Sequence, residues 1–388
     1  MHPVVRQFRD FFVSLQLTVV LLILSLLLVF VATLDQVNLG IWAVQEKYFR
    51  SFFVLWRLPD SNVALPVFPG GYFIGGLLLI NLIAAHIYRF AFTWRKFGIQ
   101  LAHGGLILLL LGELLTGLLQ QDSSMRLEEG QTKSYAESFR EHELAIIDRT
   151  DPKFDEVVAV PEAVLADQRT LQHPKLPFQV SVKAFYPNAT LQMGEPTGRA
   201  GAPVATQGIG TRVQVIPLPL TYKPDETNLP AAFVEVIGPA GSLGTWVLSP
   251  VVGMPQTFTF EGHTWELALR LKRHYQPFSL TLLKVTHEVY PGTEIPKNFA
   301  SRVQLKDDAG HADREVVIYM NNPLRHGGLT FYQYQMNAAG KMSAFQVVRN
   351  PGWVLPYIAC ILMGIGLVWQ FGYSLLGFIR KRTTPAAA

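Results

Sequence analysis

GYFIGGLLLINLIAAHIYRFAFTWRKFGIQLAHGGLILLLLGELLTGLLQQ, residues 71–121, reads as two apolar helices joined by a short basic turn. Each is long enough to cross a bilayer, which takes about 20 apolar residues. One histidine lies in each helix close to the turn, His86 near the end of the first and His103 near the start of the second. Ligand-capable side chains are costly in lipid and are functional candidates there. At a rise of about 1.5 Å per residue, His86 lies ~4.5 Å from Arg89 and His103 lies ~10 Å from Lys96. Both imidazoles therefore sit toward the same membrane face of an antiparallel hairpin. Two such groups can hold a haem iron from opposite sides, or each can meet a hydrogen-bond partner elsewhere. Arg89, Arg95 and Lys96 are placed to pair with carboxylates of a bound group, though a basic turn is also what membrane topology alone demands.

Composition sets the frame around this hairpin. The chain has 388 residues, 49% of them apolar and 16% charged, with a net charge of +4; its mean hydropathy is +0.22. That balance fits a membrane part joined to one water-soluble domain. No Lys/Arg cluster is interleaved with aromatics, which argues against nucleic acid as a partner. The single cysteine, Cys360, lies in an apolar run, so there is neither a disulfide framework nor a Cys-x-x-Cys for dithiol chemistry.

Read in order, residues 1–10 form a basic N-terminus with Arg6 and Arg9, and 11–34 a first transmembrane helix, too long for a signal-peptide core. Residues 35–69 form an aromatic, proline-bearing loop in which Tyr48–Leu58 has the character of an amphipathic interfacial piece. Helices over 70–90 and 98–120 follow. A β-rich domain spans 121–350, with predicted strands at 178–186, 211–218, 231–238, 257–271, 280–290, 301–307, 314–320 and 329–336. Residues 190–210 read as its longest loop. A fourth helix covers 353–378, and 379–388 are a basic tail. Basic residues at 6/9, 89/95/96 and 380/381/382 share one side after four crossings, which the positive-inside rule makes the cytoplasm. The expected fold is four transmembrane α-helices with a large extracytoplasmic sandwich or barrel inserted between the third and fourth.

No phosphate loop, nucleophile elbow, zinc-protease motif or haem-attachment Cys-x-x-Cys-His occurs. The histidines of the β-rich region (142, 173, 263, 274, 287, 311 and 326) lack metal-site spacing and read as strand or surface residues. Glu113 is placed either to relay a proton or to snorkel and bond a neighbouring helix. Gly104, Gly105 and Gly112 thin the third helix, for close helix packing or for a flat ligand.

SLQLTVVLLILSLLLVFVATLDQ (14–36), LAHGGLILLLLGELLTG (101–117), MRLEEGQT (125–132), VYPGTEIPKNFASRVQL (289–305) and MNNPLRHGGLTFYQYQM (320–336) together resemble the ResB (CcsB) family of System II cytochrome c biogenesis proteins. The last two stretches carry the resemblance most specifically, and residues 150–280 carry little of it. His326 stands where the family pattern has tyrosine. The resemblance implies a subunit that works with a ResC (CcsA) membrane partner to move haem b across the bacterial inner membrane. It also implies presentation of that haem to apocytochrome c, as an accessory subunit of a haem lyase, with thiol reduction left to another partner. It assigns haem ligation to His103; His86 stands outside the pattern. Two rival readings are a b-type electron-transfer cytochrome using both histidines and a haem-free anchored scaffold.

Overall fold

The computed structural model describes residues 3–57, 64–89, 93–194, 204–221, 227–292, 296–307, 310, 312–337 and 341–383. Of the residues singled out above, Leu58, residues 293–295 of the 289–305 stretch, His311 and part of the 190–210 loop lie outside these. The chain divides into a helix unit, up to Gln121 and from Asn350 onward, and a β unit between them.

In the helix unit, α1 (Pro3–Phe12) is short and carries Arg6 and Arg9, and α2 (Leu15–Leu39) is almost wholly apolar. The helix predicted over 11–34 is thus broken at Val13–Ser14 and extended at its far end. Ser14 caps α2 by accepting from the Gln16 N–H at 3.1 Å. The carbonyls released at the break are taken by Asn81, whose amide donates to Phe12 O at 2.7 Å and Ser14 O at 3.1 Å and accepts from Thr18 Oγ1 at 2.6 Å. A buried amide in an apolar bundle is tolerable only when so satisfied. At the other end, Lys47 Nζ and Tyr48 Oη hold the Asp35 carboxylate at 2.7 and 2.9 Å, which lets α2 run past residue 34. Gly40, at φ 78°, then ends it.

The expected interfacial piece at Tyr48–Leu58 is instead split. After α3 (Ile41–Val44) comes one π-helical turn, Gln45–Phe49, and then strand β1 (Phe53–Arg57) pairs with β2 (Ala64–Pro69). β-branched and aromatic residues in 52–56 favour the extended form there. The next helices are α4 (Gly71–Tyr88) and α5 (Phe97–Leu119). With α2 and the C-terminal helix, they make four helices long and apolar enough to cross a membrane among the described residues.

The β unit carries the strands β3 (Gln121–Glu128), β4 (Thr132–Asp148), β5 (Glu156–Pro161), β6 (Thr170–Leu171), β7 (Gln179–Tyr186), β8 (Ala189–Met193), β9 (Val213–Pro217), β10 (Ala231–Gly238) and β11 (Gly241–Leu248), with a short helix α6 (Glu162–Ala166) after β5. It continues with β12 (Gln256–Phe260), β13 (His263–Val289), β14 (Pro296–Asp307), β15 (Asp313–Tyr319), β16 (Leu324–His326), β17 (Leu329–Met336) and β18 (Met342–Arg349). The C-terminal helix, α7 (Leu355–Thr383), follows.

Both expected architectures are present. A sheet ordered β11-β10-β7-β6 packs on β4, β5, β12 and the first half of β13 as a sandwich, around Ile146, Phe178, Val180, Val234, Trp246 and Leu267. The long sheet ordered β15-β14-β13-β4-β3-β18-β17-β16 curls into a partial barrel around Leu280, Val303, Leu305, Phe331 and Phe345. β4 and β13 serve both cores. The strands predicted at 257–271 and 280–290 are corrected accordingly. Glu261 (φ 51°) and Gly262 (φ 81°) turn the first into a hairpin, and its remainder runs on into the second as the 27-residue β13.

Candidate functional site

α5 and α7 run antiparallel along a glycine seam. Gly98, Gly105 and Gly112, spaced seven apart, are the buried residues of α5. A Cβ on Gly105 would lie 2.7 Å from Met363 Cγ and 2.8 Å from the Ala359 carbonyl, and one on Gly98 would collide with the Gly366 carbonyl. These glycines therefore serve helix packing rather than a ligand. Gly104 has open space around it.

At about 100° per residue, His103 stands roughly 200° around the helix from Gly105. It is exposed, turned away from the seam. His86, two residues before the end of α4, is half-buried, with its Nδ1 fully enclosed. The two imidazoles are close enough to interact electrostatically. Of the expected cations, Arg89 caps the end of α4, Arg95 lies in the turn and Lys96 caps the start of α5; all three are exposed. None of the three forms an ion pair among the described residues. The fold adds Arg9, whose guanidinium sits 5.9 Å from the centre of the Tyr88 ring. It also adds an aromatic cluster of Trp94, Phe97 and Trp369, tied by a 3.0 Å bond from Trp369 Nε1 to the Trp94 carbonyl. Glu113 is exposed on α5.

Two polar residues at this end escaped the sequence reading. Gln100, one turn before His103, and Gln370, against Gly98, each have a buried side-chain oxygen without a hydrogen-bond donor among the described residues. A glutamine inside each apolar helix is the signal that was present.

No group of three or more His, Cys, Asp or Glu among the described residues is placed to hold a bare metal ion. Two imidazoles near free cations have a narrower use. They suit a metal that arrives with its equatorial donors already supplied, as iron does in a porphyrin, and that asks the protein for one or two axial ligands.

The two C-terminal sequence signatures meet inside the barrel. Ser301 Oγ donates to Gln333 Oε1 at 2.7 Å and accepts from Ser343 Oγ at 2.8 Å, and Gln333 Nε2 donates to Ser343 Oγ at 2.8 Å. Ser301 and Ser343 are fully buried, so this triad fixes the register of β14 against β17 and β18. Gly292 takes φ +77°, as the Tyr-Pro-Gly turn requires.

Residues 256–344, from β12 into β18, match the ResB-like family. Over 94 residues the chain is 33% identical to Protein NrfI of Wolinella succinogenes, an overlap of 24% of this chain and 10% of that protein. That segment, which holds both signatures and the triad joining them, is the part of the chain that is similar to the ResB-like family.

Proposed function

We propose that the chain is the ResB half of a cytochrome c biogenesis complex. It takes haem as cargo at the His86–His103 end of its membrane helices and presents it, with a ResC-type membrane partner, for attachment to apocytochrome c. The observation that carries this reading is that consecutive helices each place an imidazole near the same connecting turn, which holds the exposed Arg89, Arg95 and Lys96. Haem is amphipathic, and the site offers what each part of it needs. An apolar helix surface takes the ring, imidazole takes the iron, and Arg89, Arg95, Lys96 and Arg9 take the propionates. The exposure of His103 among the described residues suits an axial ligand that shares its cargo with a partner. The helices, in this reading, sit in a bacterial inner membrane with the β unit outside, and thiol reduction falls to another component, since Cys360 is alone.

The test is an absorption spectrum of the purified complex. His103→Ala is expected to lower haem content, with added imidazole refilling the vacated position. An equal loss in His86→Ala gives both axial ligands to this chain; retention of haem gives the second to the partner. Unchanged haem and spectrum in intact His103→Ala protein overturns the assignment and leaves the scaffold reading. Quinone-linked turnover with intact cytochrome c maturation in the variants would favour an electron-transfer cytochrome.

A further inference from the structure

β13 changes neighbours along its length on the side away from β4. β12 pairs with it there over residues 263–267 and β14 over 278–289. Between them, residues 268–277, ALRLKRHYQP, stay extended but have no strand on that side among the described residues. The sequence explains the gap. β12 meets β13 as far as Gln256, opposite Leu267, and the residue that would come next, opposite Ala268, is Pro255, with no N–H to give a ladder. At the other end Asp307 faces Phe278, and the chain turns away toward β15, the Asp307 N–H bonding the Ala312 carbonyl at 2.9 Å.

The edge left open carries unmet backbone groups. The Arg149 N–H bonds the Thr264 carbonyl at 2.8 Å on the β4 side. Alternation along the strand then turns the N–H and C=O of Leu269 and Leu271 to the open side. No described residue bonds them there.

This edge borders a cleft of about 840 Å³ whose opposite wall is the 248–256 segment. Glu266–Leu271 line it without a break. A cleft over one face of a strand meets every second residue, so here the main chain itself is part of the wall. The charges around it are already spent. Arg149 bonds Glu266 at 2.7 Å, Arg270 bonds the buried Glu143 at 3.0 Å, and Arg273 bonds Glu137 at 3.2 Å. Leu248, Val252 and Met254 add apolar surface. Recognition therefore falls to a backbone and to uncharged side chains.

Dimensions choose the occupant. The gap spans about 33 Å of strand, and β12 and β14 close the plane of the sheet at its two ends. A second copy of β13 does not fit, because its own β12 and β14 lie in the same plane and would meet those of the first. A single extended segment fits, provided its flanks leave the plane.

We propose that residues 268–277 are a docking edge for an extended, uncharged segment of another polypeptide chain, which adds one strand to the long sheet in line with β12 and β14. A recessed edge suits that role, since it admits one strand but not open-ended sheet growth. Haem at the membrane histidines plays no part in it.

The probe is a dye-labelled peptide of alternating valine and glutamine with a lysine at each end, about ten residues long to match the gap. Titrated against the full chain in detergent micelles and followed by fluorescence anisotropy, it is expected to saturate one site. Only one edge of a strand can face β13, and burial of the valines fixes which. Methylating the backbone nitrogens of one alternate set is therefore expected to weaken binding about tenfold, and methylating the other to leave it within about twofold. Hydrogen exchange read by mass spectrometry is expected to show 268–277 slowed by the peptide, with no new protection elsewhere. Absence of saturable binding, equal loss from the two methylated sets, or protection confined to other segments overturns the proposal. So does an edge already fully protected in the free protein, which would mean that the chain fills it itself. No variant has to fold for any of these readings.

Discussion

The histidines of the two units live differently. In the β unit the chain supplies partners for five of them. His142, 3% exposed, meets Glu162 at 3.5 Å, and His263 meets Asp148 at 2.7 Å. His326 faces Asp307 at 3.5 Å and stands edge-on to Phe278, His287 stacks flat on Phe299 at 4.9 Å, and His173 accepts the Lys175 N–H. Each of these does local structural work. In the helix unit no carboxylate approaches His103 among the described residues, and its ring is exposed. An imidazole that a fold does not use for itself is available to something else. The difference marks His103 as the imidazole on which the proposed function rests.

The seam behind His103 offers the strongest way to break this comparison. Gly105→Leu would drive a branched side chain into Met363 and the Ala359 carbonyl. The expected outcome is loss of folded protein, read by detergent-resistant size-exclusion profile. Normal folding would show that α5 can rotate, and the outward aspect of His103 would lose its meaning.

Next in size is His142→Ala. It opens a void in a buried site and strips a partner from Glu162, an expected loss of about 2–3 kcal/mol. Thermal unfolding monitored by circular dichroism in the β region measures it. His103→Ala is the control from the other unit and is expected to shift stability by less than about 0.5 kcal/mol. Equal shifts in the two variants would erase the distinction.

Gly292→Val places a β-branched residue at φ +77°, with an expected cost of about 1–3 kcal/mol. Reduced accumulation fits a turn that supports sheet register. Full accumulation with lost cytochrome c maturation would make that turn a functional surface.

The smallest effect sharpens the β-unit side through pH. Burial pushes the Glu162 carboxyl up, but the side-chain and backbone hydrogen bonds from His142 outweigh it, and the net is a pKa below the ordinary 4.5. A lowered folded-state pKa stabilises above the unfolded value and loses that contribution as pH falls through the folded one. The stability gap between the parent and Glu162→Gln is therefore expected to be about 1 kcal/mol above pH 4.5 and to close below it. A gap that stays constant through that range would detach His142 from Glu162.

Much of the helix unit was legible because lipid enforces a simple code: long apolar runs, with polar residues rare enough to stand out. The code did not show the break at Val13–Ser14, because the partner that makes it affordable, Asn81, lies 67 residues beyond Ser14. β4 was missed for a related reason. Its sequence, TKSYAESFREHELAIID, alternates poorly, since one strand serves a sandwich at one end and a barrel at the other.

From the sequence alone came the four membrane helices, a β-rich insert before the last, the histidine pair with its basic turn, and the two signatures that mark the family. Each is a local property of composition or period, and local properties survive without knowledge of what lies opposite. Tertiary structure decided which use the α5 glycines have, which histidines are already spent, that Ser301, Gln333 and Ser343 form one triad, and that Arg270 pairs with the buried Glu143. All four are statements about neighbours distant in the chain, and a neighbour is fixed only when packing brings it within a few ångströms.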